Sequence, residues 1–200
     1  MRVGKREDKR KDKSARVIAA GRKLFADRPF DEVTTAELAK EAGLTTGTFF
    51  RYAGSKAELL IAVYSSVIEE GLANEAALDD DADLRTRLLT LFDPIVVAAE
   101  QYPDNLVAFQ REVLFGYGMG PHREAAIESV INIERRIKKL IPDDTQAANF
   151  RTEIGGILYA SVYMSLVRLT VNTLQRADLR EHIANMVDFL LPRIVSEAEK

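Results

Sequence analysis

Apolar residues recur every three or four positions along almost the whole chain, and no stretch alternates long enough to argue a β-strand. The pattern predicts an all-α protein. A first helix over about 14–27 carries Val17, Ile18, Gly21, Leu24 and Phe25 on one face, and Pro29 ends it. A second opens at Thr34, where Thr34-Thr35-Ala36-Glu37 has the form of a capping box, and stops at Gly43. A third is short, over about 46–52. Ser55-Lys56-Ala57-Glu58 reads as another capping box, opening a long fourth helix to about 77.

The acidic string Asp79-Asp80-Asp81-Ala82-Asp83 interrupts the pattern and caps a helix over about 84–101. Pro103 sits in the first turn of the next, to about 116; after a loop, Pro121 starts a helix to about 140. Two last helices are expected over about 145–174 and 179–195, which makes nine. They divide into a small N-terminal domain, residues 1–56, and a larger helical domain, residues 57–200, with no internal repeat.

Charge changes this picture more than composition does. The 200 residues are 46% hydrophobic, ample for a core, with a net charge of -3. Residues 1–56 hold 14 Lys+Arg against 8 Asp+Glu, whereas residues 57–200 hold 14 against 23. A basic end on an acidic body points to a polyanion, nucleic acid first; a solvated terminus is the equal alternative from charge alone.

Little catalytic chemistry is available. Cysteine is absent, the two histidines, His122 and His182, lie on unrelated segments, and neither a glycine-rich phosphate loop nor metal-ligand spacing occurs. An enzyme is therefore not expected, nor a cofactor or metal. The start, MRVGKREDKRKDKSAR, lacks the apolar region of a secretory signal, and no run of 18 apolar residues occurs. The expectation is a cytoplasmic protein with no membrane partner.

The second and third helices, joined by Glu41-Ala42-Gly43-Leu44-Thr45, have the lengths and turn residue of a helix-turn-helix. Leu38, Ala39, Ala42, Leu44 and Phe49 would form its small core. The opposite face of the third helix presents Thr45, Thr46, Thr48, Arg51 and Tyr52: short hydroxyls and methyls for close approach, and a guanidinium able to bond guanine bidentately. A single arginine there serves as readily for phosphate as for a base edge.

Residues 16–63, RVIAAGRKLFADRPFDEVTTAELAKEAGLTTGTFFRYAGSKAELLIAV, resemble the N-terminal DNA-binding domain of the tetracycline repressor (TetR) family. Leu24-Phe25, Thr34-Thr35, Leu38-Ala39, Ala42-Gly43, Gly47-Thr48, Arg51-Tyr52 and Ser55-Lys56 carry the resemblance, over about a quarter of the chain. It implies phosphate contacts by Thr35 and Thr45, close backbone approach at Gly47, base-edge contacts by Thr48 and Arg51, and backbone clamps at Tyr52 and Lys56. Thr46 shares that face, and cations from Arg2 to Lys13 would add contacts from a flexible arm. Two positions depart from the family pattern: Phe50 replaces a tyrosine, so that it would pack on sugars or thymine methyls, and Ala53 replaces a large core aromatic.

The resemblance further implies a homodimer on a palindromic operator and a small-molecule effector; a protein effector is the alternative for the C-terminal domain. Aromatics there suggest an apolar pocket with a few directional bonds, built from Phe92, Ile95, Phe109, Glu112, Phe115, Tyr117, Tyr159 and Tyr163, with Gln110 and Arg111 close by. The dimer surface is expected on the last two helices at Leu158, Ser161, Ser165, Ile183, Val187 and Leu190; the alternative is that these stripes face only the protein's own core.

Overall fold

Helix capping sets most of the boundaries. In the computed structural model, which describes residues 2–116, 120–141 and 148–196, Thr34 Oγ accepts from Glu37 N–H at 3.2 Å. Glu37 accepts in return from Thr34 N–H at 2.9 Å, completing the capping box. Ser55 and Asp83 cap in the same way, accepting from the N–H groups of Glu58 and Thr86. The box at Ser55 is only half formed, because the Glu58 carboxylate turns away and lies against Gly120.

Nine α-helices and no strand occur among the described residues: α1 (Arg2–Asp27), α2 (Thr35–Glu41), α3 (Thr46–Ala53), α4 (Lys56–Ala76), α5 (Leu84–Gln101), α6 (Pro103–Phe115), α7 (Pro121–Leu140), α8 (Ala148–Thr170) and α9 (Leu179–Ser196). Single 3-10 turns precede α2, at Phe30–Glu32, and α9, at Arg176–Asp178. All-α architecture is thus as expected from the periodicity.

The main difference lies at the start. The basic arm expected to be flexible is the N-terminal half of α1, a helix of 26 residues. Its lysines, arginines and glutamate are good helix formers, and acids interleave with bases, as in the pair of Asp12 with Arg16 one turn apart. At the other end of the chain, α8 stops at Thr170, earlier than expected. Thr173 and Leu174 N–H groups fold back onto the Arg168 carbonyl, and Asn172 takes a φ of 56°.

Long α4 is the axis of the molecule, packing against α1 and α3 at one end and α5, α6 and α7 along the rest. Gly71 allows the closest approach, since a Cβ there would collide with the Leu91 carbonyl of α5. One turn further on, the fully buried Glu75 carboxylate joins Arg87 of α5 at 2.9 Å and Arg136 of α7 at 3.0 Å. Burial pushes that carboxyl up, but the bonds from Arg136 and Arg87 outweigh it and hold Glu75 below the ordinary carboxylate value. The C-terminal half of α4 is thereby fixed to α5 and α7.

Candidate nucleic-acid interface

The turn between α2 and α3 is built by Gly43, whose φ of 62° is the left-handed conformation a glycine adopts most cheaply. Arg16 of α1 clamps this turn, its Nη2 donating to the carbonyls of Ala42 at 2.6 Å and Gly43 at 2.9 Å. Leu38, Ala39, Ala42 and Phe49 are buried beneath it and Leu44 partly so, forming the expected core with Val17 and Ala20 of α1. Ala53 and Phe49 are buried in the same core, and Tyr52 is partly buried against it.

These contacts hold α3 with one face outward. Thr45, Thr46, Gly47, Phe50 and Arg51 are exposed, while Thr35, Thr48 and Tyr52 are half-buried at its rim. Thr45 caps the helix, accepting from Thr48 N–H at 3.3 Å and pairing with the Thr48 hydroxyl at 2.9 Å. Phe50 is 42% exposed and set edge-on to Phe49, with the ring centroids 5.6 Å apart. Arg51 lies 5.6 Å from the Tyr52 ring centroid, a cation–π distance. A Cβ at Gly47 would meet nothing within 4 Å, so no contact inside the chain calls for a glycine there.

Several other cations of residues 1–56 face groups of the chain itself. Arg22 meets Glu70 at 3.1 Å, Lys23 meets Glu41 at 2.7 Å and Arg28 meets Glu37 at 2.9 Å. Lys56 needs a correction. Expected as a phosphate clamp, its ammonium donates to the carbonyls of Phe30, at 2.9 Å, and Val33, at 3.0 Å, and sits 4.3 Å from the Phe30 ring centroid. Those carbonyls end the 3-10 turn, so Lys56 joins α4 to the segment before α2. Lys40 and Arg51 make no ion pair among the described residues.

The expected pocket is partly assembled. Ile95, Phe109, Tyr159 and Tyr163 come together with Ile68, Leu106, Gln110, Val162 and Leu166 around a cavity of about 10 Å³, room for one water molecule. Its polar element is a short hydrogen bond from Gln110 to the Tyr159 hydroxyl. Burial pushes the Tyr159 phenol up to about 12 against the lowering effect of that bond, so Tyr159 is neutral at physiological pH. Four expected members do not line it: Phe92 is packed inside the core, Phe115 is 78% exposed, Glu112 pairs with Arg111 at the surface, and Tyr117 lies outside the described residues. Spacing on α6 explains the division, since Leu106, Phe109 and Gln110 share one face while Glu112 and Phe115 do not.

Four of the six expected dimer residues lie inside the single chain. Leu158, Ser165, Ile183 and Val187 are buried within the single chain, and Ser161 and Leu190 are half-buried. Such continuous apolar stripes face the chain's own core because that burial removes the most apolar area from water. The large apolar side chains exposed in this part of the chain are Ile157, Met164 and Val171, seven residues apart along α8 and its end, and Phe189 on α9. In the basic run near the end of α7, 135–139, Arg136 turns inward to Glu75. Arg16 and the inward arginines were not evident beforehand, because nothing in a helical repeat says which charge faces a neighbouring turn.

Comparison with known proteins agrees with this geometry. Residues 17–63 match the family model "Bacterial regulatory proteins, tetR family". The chain is 29% identical over 103 residues to the HTH-type transcriptional regulator TtgR of Pseudomonas putida, covering 48% of this chain and 49% of TtgR. It thus spans about half the length of the curated relatives it matches. Among solved structures, a transcriptional regulator from Rhodococcus sp. Rha1 superposes with a TM-score of 0.65 at 15% identity, over 94% of this chain and 98% of that one. Thermus thermophilus FadR, a TetR-family transcriptional repressor in complex with lauroyl-CoA, does so with a TM-score of 0.57 at 23% identity, over 86% and 92%. All three are regulators of transcription by name, not enzymes. Residues 17–63 thus match the tetR family of bacterial regulatory proteins, and over most of its length the chain shares the fold of solved TetR-family regulators.

Proposed function

We propose that this chain is a transcriptional repressor that binds a palindromic operator as a homodimer and is released by a small, mainly apolar effector. The observation that carries the reading is the outer face of α3: Thr45, Thr46, Phe50 and Arg51 exposed beside a glycine at position 47 that no internal contact requires. Such a face suits the major groove, with hydroxyls at phosphates and base edges and Phe50 against thymine methyls or sugars. The N-terminal half of α1 supplies further cations for phosphates. Residues 1–56 act as the reading domain and residues 57–200 as the effector and dimerisation domain.

Repression needs two such faces spaced by about 34–36 Å, one helical turn of DNA. The exposed stripe of Ile157, Met164, Val171 and Phe189 supports a pairing of α8 and α9 with those of a second copy. The cavity between α4, α5, α6 and α8 is the effector site, apolar apart from Gln110 and Tyr159, and an effector must enlarge it. Acyl-CoA compounds are the first to screen, since the solved FadR structure holds lauroyl-CoA.

Selection from a random duplex library tests the reading. A palindrome should be enriched, bound with steep salt dependence, and bound at least about tenfold more weakly by Arg51→Ala. Failure to enrich any duplex at low salt, or an affinity that Arg51→Ala leaves unchanged, overturns it.

A further inference from the structure

Asn105 stands in the first turn of α6 with 1% of its surface exposed, and its side chain reaches out of its own domain. Nδ2 donates to the carbonyls of Phe25 at 2.7 Å and Arg28 at 2.9 Å, while Oδ1 accepts from Phe30 N–H at 2.5 Å. One amide therefore closes the end of α1 and the start of the 3-10 turn, at the corner of the reading domain. Burying an amide is costly unless it is bonded, and here both donors and the acceptor are matched to backbone groups.

Both ends of this connection lead somewhere. Toward the larger domain, Asn105 is followed on the same helix by Leu106, Phe109 and Gln110, which line the cavity. A cavity of about 10 Å³ admits no organic molecule until a wall moves, and α6 supplies part of that wall. Toward the reading domain, the corner that Asn105 holds is the one whose Phe30 and Val33 carbonyls accept from Lys56, three residues beyond the end of α3.

We propose that Asn105 is the positioning residue that transmits occupancy of the cavity to the reading domain. Displacement of α6 by a ligand draws the amide off the Phe25, Arg28 and Phe30 backbone and frees the α1 corner, and with it the setting of α3. Transmission requires that the ligand favour the displaced arrangement, since only a difference in affinity between two states shifts their populations. This rests on the cavity being the effector site.

An overpacked cavity serves as the probe. Val162→Phe fills it from α8, and amide hydrogen exchange at Phe30 reports the corner, compared in the full chain with and without Asn105→Ala. In the otherwise unchanged chain Val162→Phe should speed that exchange about tenfold, the loss of one buried hydrogen bond. With Asn105→Ala the exchange is already fast, and Val162→Phe should add less than about twofold. Equal acceleration in both backgrounds, or none in a folded Val162→Phe protein, overturns the proposal. Should Asn105→Ala lose its cooperative melt, Asn105→Asp keeps the acceptor for Phe30 and lacks the two donors. An increment as large as that of the unchanged chain in this variant would equally count against Asn105. Operator binding by the same proteins separates the two readings. A chain that enriches no duplex removes the repressor reading while the exchange result still decides on Asn105; a bound operator with unmoved exchange removes Asn105 alone.

Discussion

The guanidinium of Arg16 in α1 and the Gly43 carbonyl of the α2–α3 turn are hydrogen-bonded at 2.9 Å, so the first helix sets the conformation of the turn that aims the third. Gly43→Ala strikes this contact twice. Its φ of 62° disfavours any side chain, and the new Cβ would collide with Arg16 Nη2. The expected cost is about 1–2 kcal/mol in chemical denaturation. Arg16→Ala should cost about 1 kcal/mol and loosen the turn, weakening operator binding with little change in salt slope. Arg16→Lys should restore it in part, since one ammonium can donate to both carbonyls as Nη2 does, from a more flexible stem. A fully active Arg16→Ala protein would show that the turn holds itself.

Lys56 and Arg51 should part company in a salt series. Because the Lys56 ammonium lies on the Phe30 and Val33 carbonyls, Lys56→Met is expected to lower thermal stability and leave the slope of log affinity against log salt in place. Arg51→Ala should leave the melting temperature unchanged and either reduce that slope by about one, if Arg51 meets phosphate, or relax specificity at one base pair, if it meets a base. The reverse pattern would restore Lys56 as a phosphate clamp.

How far the sequence carried these expectations depends on the kind of signal. Thr34, Ser55, Asp83, Pro103 and Pro121 mark helix starts through local chemistry, and all five starts occur where expected. The core of the α2–α3 unit was legible for the same reason, since Leu38, Ala39, Ala42 and Phe49 lie within one short segment. Side chains whose partners lie far along the chain were not legible. Glu75 is indistinguishable in a helical pattern from any exposed glutamate, yet it meets Arg136 across 61 positions, and Asn105 meets Phe25 across 80. Burial of Leu158, Ser165, Ile183 and Val187 within the chain has a different reason: the most apolar face of a helix belongs to its own core.

Glu75 gives the chain an acid limit. Its folded carboxyl lies below the ordinary value of 4.5, so its contribution is fully present above that value and is lost as pH falls through the lower folded one. Denaturation of the unchanged chain should therefore weaken progressively below about pH 4.5. Glu75→Gln leaves Arg87 and Arg136 facing a neutral group and should cost roughly 3 kcal/mol at pH 7. The variant no longer carries that titration, so the difference between the two proteins should narrow as pH falls. A gap that stays constant from pH 7 down to pH 3 would show that other carboxylates govern the acid transition.

Substitutions on α8 separate core from interface residue by residue. Leu158 is fully buried, whereas its neighbour Ile157 is 46% exposed and aligned with Met164 at 49% and Val171 at 59%. Leu158→Ala should therefore destabilise the fold by about 2–5 kcal/mol at any protein concentration, the ordinary consequence of a core cavity. Ile157→Glu with Met164→Glu should leave the isolated subunit folded, because both positions already tolerate water. Its effect should fall on association: two carboxylates in an apolar interface face their symmetry-related copies across the two-fold axis, without counter-ions. Sedimentation at micromolar concentration should show a dimer for the unchanged chain and a monomer for the double variant, with a melting temperature that no longer rises with protein concentration. The monomer should also lose operator affinity by far more than α3 substitutions of comparable size, since one reading domain holds only a half-site. A double variant that still sediments as a dimer would move the interface off this stripe.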